Sequence, residues 1–152
     1  MIEQQPRFWR DRLYYATLAA ALVYWLALYL IMQQAPDFGW PLREPARFLY
    51  PALLYPVVEE LVFRGLVQEL AHRYLRAWSL GPLTHANILT SVLFTALHFI
   101  NHPPLWAAAV LVPSLLFGFF KDRTGGLSAP ILLHVFFNSG YFWLFGGLTA
   151  RQ

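Results

Sequence analysis

The sequence predicts an all-α, polytopic membrane helix bundle with about five transmembrane helices, on three observations. Of its 152 residues 58% are hydrophobic and 18% aromatic, while only 12% are charged. A soluble domain carries about twice that charged fraction, so water cannot cover this surface. The chain also divides, at charged and Pro/Gly-rich breaks, into apolar stretches of about the 20 residues that a spanning helix needs. Finally, the ionisable residues that do enter those stretches are few and fall in spaced motifs. This composition excludes disorder, collagen-like repeats and an ordinary cytosolic enzyme. With no cysteine there is no disulfide, thiolate metal site or cysteine nucleophile. The net charge of +3 comes mostly from Arg scattered along short loops, with no Lys/Arg stripe, so nucleic acid is not an expected partner.

The first stretch, Leu13 to Met32, carries no charge and lies between Arg7, Arg10 and Arg12 and the Pro36–Trp40 turn region. Its length and the lack of a small-residue cleavage pattern argue for a retained span rather than a removable signal peptide. The second runs from about Ala46 to Leu70 and is unusual in holding Pro51, Pro56, Glu59, Glu60 and Arg64. The third spans about Leu83 to Asn101, the fourth about Leu105 to Phe120, and the fifth about Leu127 to Leu148. No internal repeat interrupts this order, and the whole of 1–152 is expected to be one integral-membrane domain. With a cytoplasmic N-terminus, the inner segments hold Arg7, Arg10, Arg12, Arg73, Arg76, Lys121 and Arg123, and the outer ones only Arg43, Arg47 and Arg151. That bias favours N-terminus in and C-terminus out.

Membrane helices exclude ionisable groups unless these face the bundle interior or a wet cavity, so the exceptions are informative. In Pro56-Val-Val-Glu-Glu-Leu-Val-Phe-Arg64, Glu60 and Arg64 stand one turn apart and are expected to pair. Glu59, about 100° round the axis, is left unpaired and free to face a substrate. Pro56 lacks an N–H and disturbs the preceding turn, which would expose a carbonyl and admit water near Glu59. Phe94 and His98 share one face of the third span, and His134 and Asn138 one face of the fifth. Singly, each reads as packing or helix-bridging glue. Together they are what hydrolytic chemistry requires on three separate apolar helices. His102, before Pro103, reads as an interfacial loop residue, and His72 and His85 as solvated residues of the inner loop.

Glu-Glu-x-x-x-Arg at Glu59–Arg64, Phe-x-x-x-His at Phe94–His98 and His-x-x-x-Asn at His134–Asn138 occur in the order found in the CPBP family of intramembrane proteases. The chain resembles that family, which includes type II CAAX prenyl endopeptidases, bacterial Abi-type proteins and lysostaphin-resistance-like proteins. The resemblance covers a motif-bearing core of about 45–148; at 152 residues the chain is expected to lack flanking helices of larger members. It implies an endopeptidase cutting near the C-terminal tail of a membrane-anchored or lipidated protein, in the bilayer of a bacterial inner membrane. It implies Glu59 as general base on a water shared with His98, and His134 with Asn138 as donors to the oxyanion. Glu60, Arg64 and Phe94 then support them, and no cofactor is required.

A zinc version of the site uses Glu59, His98 and His134 as ligands with one position open for water, although the usual His-Glu-x-x-His run is missing. Other function classes are a proton-coupled transport component, which would show an inverted repeat, and a non-catalytic membrane immunity or interaction protein, which would tolerate Glu59→Gln. Straight spans would spread Glu59, His98 and His134 over about 10 Å of depth, so helix breaks at prolines are expected to bring them level. The loops Gln33–Arg47 and Thr124–Ser128 are candidates for substrate entry.

Overall fold

Helices make up about four fifths of the described residues of the computed structural model, which describes residues 7–33 and 35–149. Arg151 of the charge count lies outside the described residues. A short 3-10 turn, Phe8–Arg10, leads into α1 (Arg12–Met32). Asp11 caps α1, its carboxylate accepting the Leu13 N–H at 2.9 Å. Gln33, left-handed at φ 51, ends it. The buried residues Tyr14, Thr17, Ala21 and Trp25 recur every three or four positions and form one stripe against α9 (Ser128–Thr149). Leu22, Val23, Leu26, Leu30 and Ile31 point outward, as lipid-facing residues do. A Cβ at Gly140 of α9 would lie 2.2 Å from the Trp25 ring, so this glycine is what lets the two helices approach.

Two short helices carry proline in their first two positions, α2 (Trp40–Arg43) and α3 (Pro45–Leu49). From α3 the chain runs on as one composite helix through a π segment (Tyr50–Leu54), α4 (Tyr55–Glu60), a second π segment (Leu61–Val67) and α5 (Gln68–Tyr74). A two-stranded hairpin, β1 (Ser79–Leu80) and β2 (Leu83–Thr84), turns at Gly81, whose φ of 58 suits the first position of a two-residue turn. Thr84 then caps α6 (His85–His98) by accepting the Asn87 N–H. Next come α7 (Pro104–Ala109) and α8 (Leu111–Thr124), jointed at Val110, and Gly125 at φ 67 closes α8.

The α8–α9 contact holds an aromatic core of Tyr14, Phe117, Phe120, Ala129 and Leu133. Between α6 and α8 the contact is polar: Asn87 donates to the Leu115 carbonyl at 3.0 Å and accepts from Ser91. Among the described residues, Arg12–Met32 and Pro104–Thr124 are long and apolar enough to cross a bilayer. The all-α expectation holds, while α6, at 14 residues, is shorter than the expected third span because the hairpin takes Leu83–Thr84 and the turn after His98 takes residues 99–101.

Candidate active site

The composite helix is built around its prolines. In the first π segment the Tyr55 N–H reaches back five residues to the Tyr50 carbonyl. The next carbonyl, that of Pro51, would in the same register receive the N–H of residue 56, which is a proline and has none. Asn138 of α9 fills the gap, its Nδ2 donating to the Pro51 carbonyl at 3.0 Å, and Ser139 adds a longer bond to Ala52 at 3.5 Å. The proline break thus does free a carbonyl, but a side chain of α9 takes it. Beyond α4 the helix widens again, with the Gln68 N–H on the Phe63 carbonyl. Glu59 and Glu60 therefore sit on a short α-helical piece bracketed by two π segments, an irregularity often found at functional sites.

Glu60 is fully buried and both its oxygens are used. Oε2 accepts from Arg64 Nε at 3.2 Å, the expected pair, and Oε1 faces His134 Nδ1 at 2.9 Å. Arg64, also fully buried, spends Nη2 on the Ser114 hydroxyl at 2.7 Å and its carbonyl at 3.1 Å. The guanidinium carbon lies 5.6 Å from the Phe94 ring centroid. Phe117 stacks on the His134 ring at 4.7 Å and 25°. His134 is thus fixed by a carboxylate at one nitrogen and a ring at its face, and its Nε2 points at Glu59 Oε2, 3.6 Å away. Glu59 is accordingly not without a partner, as the sequence suggested, but it keeps about a third of its side chain, 32%, open.

That open side faces a cavity of about 200 Å³ lined by Glu59, Phe63, Phe94, Leu97, His98, Asn101 and His102. His98, the last residue of α6, turns its Nδ1 to the Phe94 carbonyl at 2.9 Å. Since that nitrogen must donate to a carbonyl, Nε2 is left as the acceptor. Phe94 is buried at the centre, its ring 4.5 Å from His98, 4.9 Å from Phe63 and 6.0 Å from His134. The three motifs meet: Glu59 and His98 line one cavity, and His134 Nε2 is 3.6 Å from Glu59. Glu59, Phe94 and His98 share the cavity and Glu59, Glu60 and His134 share contacts, while Asn138 stands on the Pro51 carbonyl instead.

Several residues at the site were not legible as such. Ser114 and Gln68 carry no motif, yet Ser114 holds Arg64, and Gln68 donates to the Gly118 carbonyl and to Asp122. His85, expected in solvent, is buried, with Nε2 3.2 Å from the Ala71 carbonyl and Nδ1 3.2 Å from the Trp78 carbonyl, because it opens α6 against α5. His72 remains partly open and meets Asp122 at 2.8 Å. His102 is a turn residue as expected, but it lines the cavity and stacks with Trp106. The spacing His98, His102, Trp106 at steps of four was the available signal. As for zinc, no three His, Asp or Glu side chains among the described residues are grouped to hold an ion, and the Nδ1 bond of His134 to Glu60 leaves its Nε2 facing Glu59.

A family model described as type II CAAX prenyl endopeptidase Rce1-like matches residues 41–140, a stretch that holds every residue of the cluster. An Escherichia coli protein described as "Uncharacterized 24.3 kDa protein" is 34% identical over 84 residues. The match covers 55% of this chain and 36% of that protein, so the chain spans only part of the relative's length. No solved structure matches the chain.

Proposed function

The chain belongs to the type II CAAX prenyl endopeptidase Rce1-like family, and from that premise we propose that it is an intramembrane endopeptidase whose attacking water is activated by Glu59. The observation that carries this reading is the single cavity walled by Glu59 and His98, with His134 directed at Glu59 from the other side. Water placed there hydrogen-bonds to His98 Nε2 and gives its proton to Glu59 as its oxygen attacks the scissile carbonyl carbon. The tetrahedral oxyanion is met by the His134 ring, whose protonated form keeps Nδ1–H on Glu60 and offers Nε2–H. Asn138 commits one amide N–H to Pro51 and retains a second for the same oxyanion. When the C–N bond breaks, Glu59 returns the proton to the leaving amine, so Glu59 ends as it began. Glu60, Arg64 and Phe94 hold this geometry without touching substrate.

In this reading the chemistry needs no resident metal. The substrate is a peptide bond near the C-terminal tail of a membrane-anchored or lipidated protein. The chain is one domain over 1–152 with its working core at about 45–148, crossing a bacterial inner membrane about five times with the N-terminus cytoplasmic. The test is cleavage of a tail-anchored reporter in native membranes by wild type and by Glu59→Gln, with zinc measured on the same preparations. Glu59→Gln is expected to lose at least about 100-fold in kcat, the lower range for removing a general base. Full activity in that variant overturns the proposal, as does stoichiometric zinc that is lost in His98→Ala.

A further inference from the structure

One side of His98 is covered by a stack of rings that the chemistry above does not use. His102 lies over His98 at 5.7 Å between centroids and 22° between planes. Trp106 of α7 lies against His102 at 4.1 Å and 36°, and its Nε1–H is anchored to the Tyr141 hydroxyl of α9 at 3.1 Å. Phe94 also meets the His98 ring, at 4.5 Å and 49°. The His98 ring therefore meets both Phe94 and His102, with Trp106 at 6.0 Å and tied to α9 through Tyr141. Tyr141 is seven residues, about two helical turns, beyond His134, so one face of α9 carries His134 and also anchors Trp106 of the ring stack.

We infer that His102, Trp106 and Tyr141 are positioning residues that hold the His98 ring with Nε2 toward the cavity. The need for such a clamp follows from where His98 sits. It is the last residue of α6, and the chain turns through Phe99–His102 straight after it. Helix ends fray, and the terminal torsion of an imidazole is roughly two-fold, so the ring can flip and exchange Nε2 for a carbon or for the bonded Nδ1. The single hydrogen bond from Nδ1 to the Phe94 carbonyl resists that flip, and the stacked rings close the space in which it would occur. A flat ring, rather than an imidazole as such, is what the position requires.

This inference rests on the proposed role of His98, and its test separates the two. Kinetics of reporter cleavage are measured for wild type, Glu59→Gln, His102→Ala, His102→Phe and Tyr141→Phe in the full chain, with melting curves on each preparation. His102→Ala is expected to lose about tenfold to 100-fold in kcat with little change in KM, the scale of a misplaced catalytic group. His102→Phe, which restores a flat ring, is expected to recover most of that loss, and Tyr141→Phe to show a smaller fall in kcat of about threefold. Nitrogen-15 spectra of imidazole-labelled protein are expected to show one His98 tautomer in wild type and exchange between forms in His102→Ala. Wild-type kcat in His102→Ala, or a His102→Phe variant as slow as His102→Ala, overturns the clamp. If His102→Ala does not fold, an unchanged kcat in Tyr141→Phe overturns it. An active Glu59→Gln variant instead brings down the reading of the site on which the clamp depends.

Discussion

Replacing Arg64 by Met tests whether the buried network is held together as described. Arg64 and Glu60 are both fully buried, 3.2 Å apart, and the guanidinium also gives two hydrogen bonds to Ser114. Met preserves most of the volume but strands the Glu60 carboxylate in a dry interior with His134 as its remaining partner. Breaking a buried pair on one side costs about 3–5 kcal/mol, far more than loss of a surface pair. For a chain of 152 residues each kcal/mol moves the midpoint by about 2–4 °C, so a fall in Tm of about 6–20 °C is expected. Arg64→Lys keeps the charge but not the fork that reaches Glu60 and Ser114 at once, and is expected to fall between, at about 1.5–3 kcal/mol. The decisive variant carries Arg64→Met with Glu60→Met, which removes both charges and is expected to recover much of the loss. Near-UV circular dichroism of detergent-solubilised protein reads these midpoints. A loss under about 1 kcal/mol in Arg64→Met, or a double variant no better than the single one, refutes the argument.

At Gly118 a Cβ would lie 1.9 Å from Asn87 Oδ1, and Asn87 is held in place by Leu115 and Ser91. Gly118→Ala is therefore expected to cost about 1–3 kcal/mol or more, and adding Asn87→Ala to restore part of it; thermal melting that shows no loss removes this contact from the fold. Asp11 caps α1 and is ion-paired with Arg123 of α8, and that hydrogen bond holds its carboxyl below the ordinary range. A carboxyl lowered on folding stabilises above its unfolded value of about 3.9 and loses that contribution as pH falls through the folded value. Asp11→Asn should accordingly cost under about 1 kcal/mol at neutral pH, and the gap from wild type should begin to narrow only below about pH 4 in melts followed to lower pH.

What the sequence made legible was local. Glu60 and Arg64 pair because four residues bring side chains onto one helix face, and that relation is written in their spacing. Pro56 announced a freed carbonyl for the same reason: a missing N–H is a property of one residue. Contacts between distant segments were not readable. His134 meets Glu60 across 74 positions and Asn138 meets Pro51 across 87, and no periodicity relates them. The family resemblance brought these residues together without saying how they touch. The hairpin at Ser79–Thr84 was missed because its strands are two residues each, too short for an alternation to show. His85 was misplaced for a related reason: polar residues at the start of a helix resemble a loop until the partner carbonyls of Ala71 and Trp78 are in view.

The placement of Glu59 follows from how helices associate when lipid offers no hydrophobic drive between them. Such contacts rest on close packing of small residues and on hydrogen bonds. Here one seam does both: Glu60, Arg64, Gln68 and His72 run at steps of four along the composite helix, and Ser114, Gly118 and Asp122 at steps of four along α8. Arg64 bonds Ser114, Gln68 bonds Gly118 and Asp122, and His72 bonds Asp122. In a regular α-helix four residues overshoot one turn by about 40°, so three steps would carry His72 about 120° away from Glu60. The π segment Leu61–Val67 widens the turn and takes up part of that drift, which keeps the row facing α8. Glu60 lies on the seam and has both oxygens engaged, one by Arg64 and one by His134. Glu59 is one residue off it, about 100° round the axis, and meets the cavity instead. Of two adjacent carboxylates, the seam consumes one as structure and leaves the other facing the cavity.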